Sequence, residues 1–229
     1  MNAPKSGLEI LYEDNHCLAV LKPARMLVAG DQTGDRNLLD LAKEYLKEKY
    51  QKPGNVFLGL VHRLDRPVSG IVLFARTSKG ASRLSEQFRN RSITKRYLAL
   101  VEGIPAKTKG TCRSWLLKDE KANLVRIVPK GSAGAKEATL TWKLIERGKS
   151  RSILGVELES GRSHQIRVQL SEMGHPICGD VKYGSKTRTR GAIALHAAEL
   201  VFEHPTTREV IRLTSSEPVV WRKLLDERA

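Results

Sequence analysis

The stretch from Leu60 to Ala75 reads LVHRLDRPVSGIVLFA and places one carboxylate, Asp65, among cations between two apolar runs. These runs have the composition of buried strand ends, and Leu60 belongs to the first of them. Pro67 and Gly70 predict an irregular connection between the two strands. The sequence therefore predicts a loop that two core strands hold in place.

The polar residues of this loop are candidates for binding or catalysis, because rigid scaffolds commonly present reactive groups from loops. They are His62, Arg63, Asp65 and Arg66. One acid between two arginines is suited to a reactive group that acts on a bound polyanion. A surface turn in which Asp65 pairs with a neighbouring arginine explains the same residues equally well.

The charge of the chain is strongly positive and unevenly distributed. Its 229 residues are 40% hydrophobic, enough for one large domain or two small lobes, and carry a net charge of +15. The first sixty residues hold 8 basic and 8 acidic side chains, so the later part, which contains Asp65, carries the whole excess. Such a balance indicates nucleic acid or an anionic membrane surface as partner.

Neither a membrane span nor a signal peptide is predicted. No apolar run approaches the ~20 residues of a spanning helix, and the first residues lack a signal-type apolar stretch. Cys17, Cys112 and Cys178 are far apart and odd in number. We interpret them as three reduced thiols in a cytoplasmic protein.

Local signals predict a hairpin and two helices before residue 91. Leu8 to Leu21 should form two short strands around a turn at residues 13–15, closed by Lys22-Pro23. Apolar spacing predicts a helix from Asn37 to Tyr50. A second helix should begin after a cap at Thr77 or Ser78 and end at Asn90.

The second helix and its exit carry a basic run that favours contact with phosphates over a merely solvated face. Seven cations and one acid, Glu86, lie between residues 76 and 96. The cations are Arg76, Lys79, Arg83, Arg89, Arg91, Lys95 and Arg96. A second basic segment, residues 182–190, contains Lys182, Lys186, Arg188 and Arg190 without an acid.

Further strands are predicted from alternating or apolar runs. Their ranges are 93–101, 124–128, 138–145, 153–158, 192–202 and 210–213, followed by a short helix from Pro218. Residues 103–135 are otherwise rich in glycine and lysine and are interpreted as an exposed insertion of modest order. Tyr97 stands in a basic strand, either as a satisfied core tyrosine or as a ring for stacking on a base.

The stretch 161–184, GRSHQIRVQLSEMGHPICGDVKYG, predicts a helix that Ser163 caps and that runs to Met173, with Gly174 as its stop. Arg162 and His164 would lie at its start, where backbone amides favour anions. Arg167 shares a face with Leu170 and should point to the interior. A buried arginine needs a carboxylate partner, and Asp65 needs a cation for the same reason.

Several motifs are excluded. Lys143 stands where a phosphate-binding loop ending in Gly148-Lys149-Ser150 would require glycine, and no G-x-G-x-x-G or G-x-S-x-G occurs. The six histidines lack the i, i+4 spacing of a helical zinc pair, so no metal site is expected.

Two stretches, HRLDRPVSG (62–70) and GRSHQIRVQLSEMGHPICGDVKYG (161–184), closely resemble the signature blocks of RNA pseudouridine synthases of the RluA branch. Weaker similarity covers ILYEDNHCLAVLKPA, KRYLALVEG and IALHAAELVFEHP. The resemblance implies an α+β fold with a mixed, mostly antiparallel central sheet, flanking helices and a basic active-site cleft. It also implies a single catalytic domain over residues 1–229, without a separate N-terminal RNA-binding domain.

The resemblance assigns roles to individual residues. Asp65 would be the catalytic aspartate, Arg167 its partner, and Tyr97 the ring that stacks on the target uracil. Arg63 would help to displace the target base, and Leu195 or a neighbour would line the base pocket. The expected RNA contacts are made by His62, Arg63, Arg66, Arg83, Lys95, Arg96, Arg162, His164, Gln165 and Leu195.

The implied activity is conversion of one uridine to pseudouridine in ribosomal or transfer RNA. No cofactor, metal, membrane or DNA partner is expected, and the chain should be a monomer. Asp65 could attack the base, attack the sugar or abstract a proton. The alternatives are a non-catalytic RNA-binding or RNA-folding protein and, with less support, a metal-dependent nuclease that uses Asp65, Asp180 and histidines.

Overall fold

A computed structural model describes residues 7–227, which divide into two compact units. Unit 1 contains the described residues up to Thr94 together with Glu199–Ser215. Unit 2 contains Lys95–Ala198 and the described residues from Ser216 onward. The expectation of one catalytic domain over the whole chain stays a prediction, and its first six and last two residues lie outside the described range.

Unit 1 is built on antiparallel strands around a buried central strand. β2 pairs with β1 on one side and with β4 on the other, and β3 also pairs with β4. The elements are β1 (Glu9–Glu13), β2 (Cys17–Lys22), α1 (Leu38–Lys49), β3 (Gly59–Leu60), β4 (Ser69–Ala75), α2 (Ser78–Asn90) and β11 (Val210–Thr214). Every residue of β4 is buried, and Ile71 and Leu73 belong to a core that also contains Leu84 of α2.

The helices of unit 1 begin where the sequence predicts, because their caps are local. The Asn37 side chain accepts the Asp40 N–H at the start of α1, and the Thr77 hydroxyl accepts the Gly80 N–H at the start of α2. The predicted burial of Leu60 is wrong. This residue is 40% exposed at the end of the two-residue strand β3.

Unit 2 is dominated by long antiparallel strands in the order β5-β9-β8-β6-β7. Its elements are β5 (Thr94–Glu102), β6 (Lys109–Asp119), β7 (Leu124–Val128), β8 (Lys136–Arg147), β9 (Arg151–Leu158), α3 (Gln165–Glu172), β10 (Leu195–Glu203) and α4 (Val220–Asp226). β10 begins in unit 2 and ends in unit 1, where it pairs with β11.

Two expectations for unit 2 are wrong. Residues 103–135 are not a loosely ordered insertion, since β6 spans Lys109–Asp119 and pairs with both β7 and β8. Ser163 does not cap α3. The cap position is His164, whose backbone is left-handed (φ 51°), and the helix ends one residue earlier than predicted, before Gly174 (φ 84°).

The strands and helices together confirm the α+β class with mostly antiparallel pairing. Within residues 7–227, none of the helices has the length and apolar character that crossing a bilayer requires.

Candidate active site

The Asp65 loop connects β3 to β4 in unit 1 and alternates buried anchors with polar residues. Leu64 and Val68 are buried, Asp65 is half-buried, and Arg63 is exposed. The Asp65 carbonyl accepts the Val68 N–H at 3.0 Å, which closes a turn. The apolar anchors therefore fix the backbone on both sides of the carboxylate.

Lys22, the last residue of β2, binds the backbone of this loop. It is 0% exposed, and its ammonium donates to the carbonyls of Pro23 (3.1 Å), Met26 (2.7 Å) and Arg66 (3.1 Å). An ammonium has three N–H donors, and these carbonyls match all of them. Burial lowers the pKa of Lys22 to about 7, whereas the charge of Asp65 acts in the opposite direction. The amino group of Lys22 thus binds the carbonyl of Arg66, the residue that follows Asp65.

His62 and Arg66 also hold the loop in unit 1. The His62 ring stacks on Phe88 with 4.6 Å between centroids, and its Nε2 accepts the Leu73 N–H at 2.9 Å. The exposed Arg66 pairs with Asp35 at 2.6 Å. The structure therefore gives both residues supporting contacts, and their RNA contacts stay a prediction.

Arg167 is the centre of a buried polar cluster in unit 2. It is 6% exposed, and its Nε and Nη2 donate to the two oxygens of Asp180 at 2.7 and 2.9 Å. Its guanidinium also lies 5.1 Å from the centroid of the Tyr183 ring. The Tyr183 hydroxyl accepts the Val125 N–H and lies 2.8 Å from His164 Nδ1. The predicted burial of Arg167 and its need for a carboxylate are confirmed, and Asp180 is one such carboxylate.

The turn before α3 is held by side chains that were predicted to contact RNA. Gln165 is 2% exposed, accepts hydrogen bonds from Ser160 and the Arg162 N–H, and donates to the Thr139 carbonyl. Arg162 Nε donates to the Glu137 carbonyl at 3.2 Å. These contacts make the turn rigid. The RNA contacts of Arg162, His164 and Gln165 stay a prediction.

The remaining predicted site residues lie on strands and on α2. Tyr97 is half-buried on β5 opposite Val156, and Leu195 is buried at the start of β10. The exposed Arg96 pairs with Glu157 at 2.7 Å. Arg83 Nη1 donates to the Pro205 carbonyl at 2.6 Å, which ties α2 to the hairpin of β10 and β11 within unit 1.

Comparison with known proteins identifies the family. The family model described as RNA pseudouridylate synthase matches residues 16–172, more than half of the chain. The chain belongs to the RNA pseudouridylate synthase family. The matched range contains Lys22, Asp65, Tyr97 and Arg167 and ends before Asp180.

Related proteins agree with this family. The chain is 33% identical over 224 residues to the ribosomal large subunit pseudouridine synthase D of Zymomonas mobilis, covering 92% of this chain and 69% of that protein. It is 34% identical over 225 residues to the uncharacterized RNA pseudouridine synthase YhcT of Bacillus subtilis, covering 96% and 72%. The fold matches the solved structure of human RNA pseudouridylate synthase domain containing 4 with a TM-score of 0.78 at 22% identity, covering 93% and 90%.

The predicted family, the RluA-type branch, and the predicted enzyme class are thus confirmed. This RNA pseudouridine synthase isomerises uridine to pseudouridine in RNA. Its predicted site residues fall into both units: Asp65 and its loop belong to unit 1, whereas Arg167 and Tyr97 belong to unit 2. The pairing of Asp65 with Arg167 stays a prediction.

Sequence reasoning missed two residues of these clusters. Lys22 appeared only as the end of a strand, although a lysine after the run Cys17–Leu21 in a buried strand is itself a signal. For Asp180 the sequence suggests only a role as a metal ligand. Its position thirteen residues after Arg167 carries no periodic signal, because the chain leaves the helix and turns back between them.

One group of described residues has the composition of a metal site, but Asp14 and His204 accept hydrogen bonds from backbone N–H groups. Ligand atoms of Asp14, Cys17 and His204 lie within 4.8 Å of one another. The Nδ1 of His204 accepts the backbone N–H of Thr207 at 2.9 Å, so its ring proton is on Nε2. That nitrogen lies 2.8 Å from Asp14 Oδ2, although off the direction of a good hydrogen bond. Burial also raises the pKa of the Cys17 thiol to about 12, which disfavours the thiolate that a metal requires.

Proposed function

We propose that Asp65 is the catalytic carboxylate and acts on a uridine that has been flipped out of its RNA stack. The observation that carries this proposal is the anchoring of Asp65: buried Leu64 and Val68 flank it, and buried Lys22 binds the backbone next to it. A side chain held in this way can act at one fixed point on a nucleoside.

The reaction itself is an atom-balanced isomerisation. The bond from the sugar C1′ to N1 of uracil breaks, and a bond from C1′ to C5 forms. The C5 proton is lost and N1 gains a proton. A single carboxylate can serve as nucleophile or as base in such a sequence, provided that water is excluded from the site.

In this proposal Arg167 and Tyr97 complete the site. The Asp180 carboxylate holds two nitrogens of the Arg167 guanidinium at 2.7 and 2.9 Å, which fixes the plane of the group. A further N–H of that plane would bind Asp65. Tyr97 would stack on the flipped uracil, a contact worth about 1–3 kcal/mol per base.

We further propose ribosomal RNA of the large subunit as the substrate, because the similar Zymomonas mobilis protein is named for that RNA. The acting form would be a single chain in the cytoplasm, which fits the three free cysteines. Mapping of pseudouridines in cells with and without the gene tests the substrate. Loss of a site in transfer RNA alone would contradict the ribosomal assignment.

The activity is tested with Asp65→Asn and a matched control. We expect Asp65→Asn to form no pseudouridine in transcribed RNA while its RNA affinity stays within roughly tenfold, because the phosphate-binding surface is intact. The control is Asp31→Asn, an exposed aspartate of the same unit that bonds to Thr33. It should retain full activity. Measurable turnover by pure Asp65→Asn protein would remove Asp65 from the chemistry.

A further inference from the structure

In the segment Gly184–Arg190, called the basic loop below, exposed residues alternate with buried or half-buried ones. This is the pattern of a strand, although the segment lies outside the named strands. Its small hydroxyl residues face inward: Ser185 is buried, and Thr187 and Thr189 are half-buried. Its cations are all exposed, and they are Lys186, Arg188 and Arg190. Neighbours on one face of an extended chain are about 7 Å apart, which is the spacing expected between Lys186 and Arg188. Arg190 follows at the turn that ends the loop, where its backbone φ is 21°.

Glu102, the last residue of β5, holds the basic loop in this conformation. Its Oε1 accepts the Ser185 hydroxyl at 2.7 Å and the Thr187 N–H at 2.8 Å. The Ser185 oxygen in turn accepts the Gly179 N–H at 3.0 Å. Although burial opposes ionisation, the hydrogen bonds from Ser185 and Thr187 keep the pKa of Glu102 below its usual value. One carboxylate thus fixes two successive inward positions.

The charge pattern of the loop fits a phosphate backbone. No aspartate or glutamate occurs between residues 181 and 198. A nucleic-acid strand offers one charge per nucleotide at regular intervals, and arginine binds phosphate through its planar fork. Lys182 is not part of the array, because its ammonium donates to the Asn123 carbonyl at 3.0 Å.

We propose that Lys186, Arg188 and Arg190 bind backbone phosphates of a single RNA strand, and that Glu102 is the positioning residue that keeps them in register. The inference rests on the proposed function only in taking RNA as the partner. It does not depend on Asp65 or on the chemistry.

The first test measures RNA affinity against salt concentration, without turnover. Each phosphate contact on a single strand contributes about 0.7 to the slope of log K against log salt. The triple variant Lys186→Ala, Arg188→Ala, Arg190→Ala should therefore flatten the slope by about 2 and weaken binding to RNAs of any sequence. An unchanged slope would overturn the proposal.

The second test separates positioning by Glu102 from simple electrostatics. Removing a negative charge from a basic protein should by itself leave RNA binding unchanged or strengthen it, as we expect for the exposed control Glu172→Gln. Glu102→Gln should instead weaken RNA binding by roughly fivefold and raise KM with little change in kcat, because the cations lose their register. Tighter or unchanged binding by Glu102→Gln would show that Glu102 does not position the loop.

A charge-neutral variant covers the case in which Glu102→Gln does not fold. Ser185→Ala removes the hydroxyl that Glu102 binds, and it should also raise KM and flatten the slope. If Ser185→Ala binds RNA like the wild type, the positioning role is wrong. RNA binding is measured apart from turnover, so the two proposals can fail separately. If the wild type formed no pseudouridine but the triple variant still flattened its salt slope, the proposed catalysis would be contradicted and this inference would stand.

Discussion

The ammonium of Lys22 is buried at the end of β2, where three carbonyl oxygens surround it. Burial lowers its pKa to about 7, against about 10.4 for lysine in an unfolded chain. Between pH 7 and 10 the unfolded chain therefore binds more protons than the folded chain, and the free energy of unfolding rises with pH. The cost of burying the charge is fully present below pH 7 and is relieved above it.

This linkage predicts a pH-dependent difference between the wild type and Lys22→Met. The free energy of unfolding of the wild type should rise relative to the variant by roughly 3–4 kcal/mol from pH 7 to pH 10. Urea denaturation of both proteins at several pH values measures it, and Lys79→Met on the exposed face of α2 controls for the loss of a lysine. A difference that is constant with pH would contradict a lowered pKa of Lys22.

Arg167 should be indispensable for stability as well as activity. Arg167→Ala leaves the buried Asp180 carboxylate without its bidentate partner, at a cost of about 3–5 kcal/mol. Arg167→Lys keeps the charge but loses the planar fork, so we expect a folded and severely impaired enzyme. Chemical denaturation and a pseudouridine assay measure the two effects.

Double-mutant cycles on Arg167 distinguish its observed partner from its proposed one. Asp180→Asn should reduce the cost of Arg167→Ala by more than about 1 kcal/mol, because the two side chains are in contact. Asp65→Asn should show coupling of similar size if the proposed pair forms. Strict additivity between Asp65→Asn and Arg167→Ala would mean that the active site is not arranged as proposed.

Sequence reasoning succeeded for single residues where burial decides their chemistry. The position of Arg167 on the face of Leu170 predicted that it is buried and needs a carboxylate, and both are confirmed. The identity of the partner Asp180 depends on the turn after α3, which helical periodicity does not describe. Lys22 was missed for a related reason, since its carbonyl partners include Arg66, forty-four positions away.

Among the elements, the basic loop packs closely against Gly179, which precedes it in the chain. Its backbone is left-handed (φ 87°), and an added Cβ would lie 2.0 Å from Thr189 Oγ1 and 2.6 Å from the Ala192 carbonyl oxygen. A backbone oxygen cannot move aside cheaply. Gly179→Ala should therefore displace the loop, lower stability by a few kcal/mol and weaken RNA binding.

Gly184→Ala is the matched control for this prediction. Its backbone is also left-handed (φ 90°), but apart from its two chain neighbours no described residue would have a heavy atom within 4 Å of the new Cβ. Gly184→Ala should lower the free energy of unfolding only by the cost of placing alanine in a left-handed backbone, about 1 kcal/mol. Equal melting temperatures and RNA affinities for the two variants would show that the contact of Gly179 with the loop is unimportant.

Elements with local signals were predicted well, and those that depend on distant pairing were not. α1 and α2 follow from Asn37, Thr77 and the apolar spacing behind them. β6 was missed because its glycine- and lysine-rich surroundings resemble a loop, whereas β8 supplies its hydrogen bonds from across the sheet of unit 2. The start of α3 was misplaced because His164 adopts a left-handed backbone that no composition rule assigns to it.

For the whole molecule, the net charge of +15 overstates the charge available to RNA. Arg76 belongs to the predicted phosphate surface, yet its side chain is 8% exposed and bonds to Glu13 and the Asp14 carbonyl. The prediction that Arg76 belongs to the phosphate surface is therefore wrong. Arg89 and Arg91, at the end of α2, are exposed. Counting charges along the sequence cannot separate these cases, because Glu13, the acid that pairs with Arg76, is some sixty residues away.

This distinction gives a prediction for RNA binding by the entire chain. Changing Arg89 and Arg91 to Glu should weaken binding to all RNAs and flatten the salt slope by at least about 1.4, because two phosphate contacts are lost. Arg76→Gln should leave the slope unchanged and lower the melting temperature, because it breaks contacts with Glu13 and the Asp14 carbonyl inside unit 1. Affinity at several salt concentrations and thermal unfolding measure both. The opposite result would be a flatter slope for Arg76→Gln and an unchanged slope for the Arg89 and Arg91 reversals. It would mean that RNA does not bind the exposed arginines at the end of α2, and that this predicted surface is wrong.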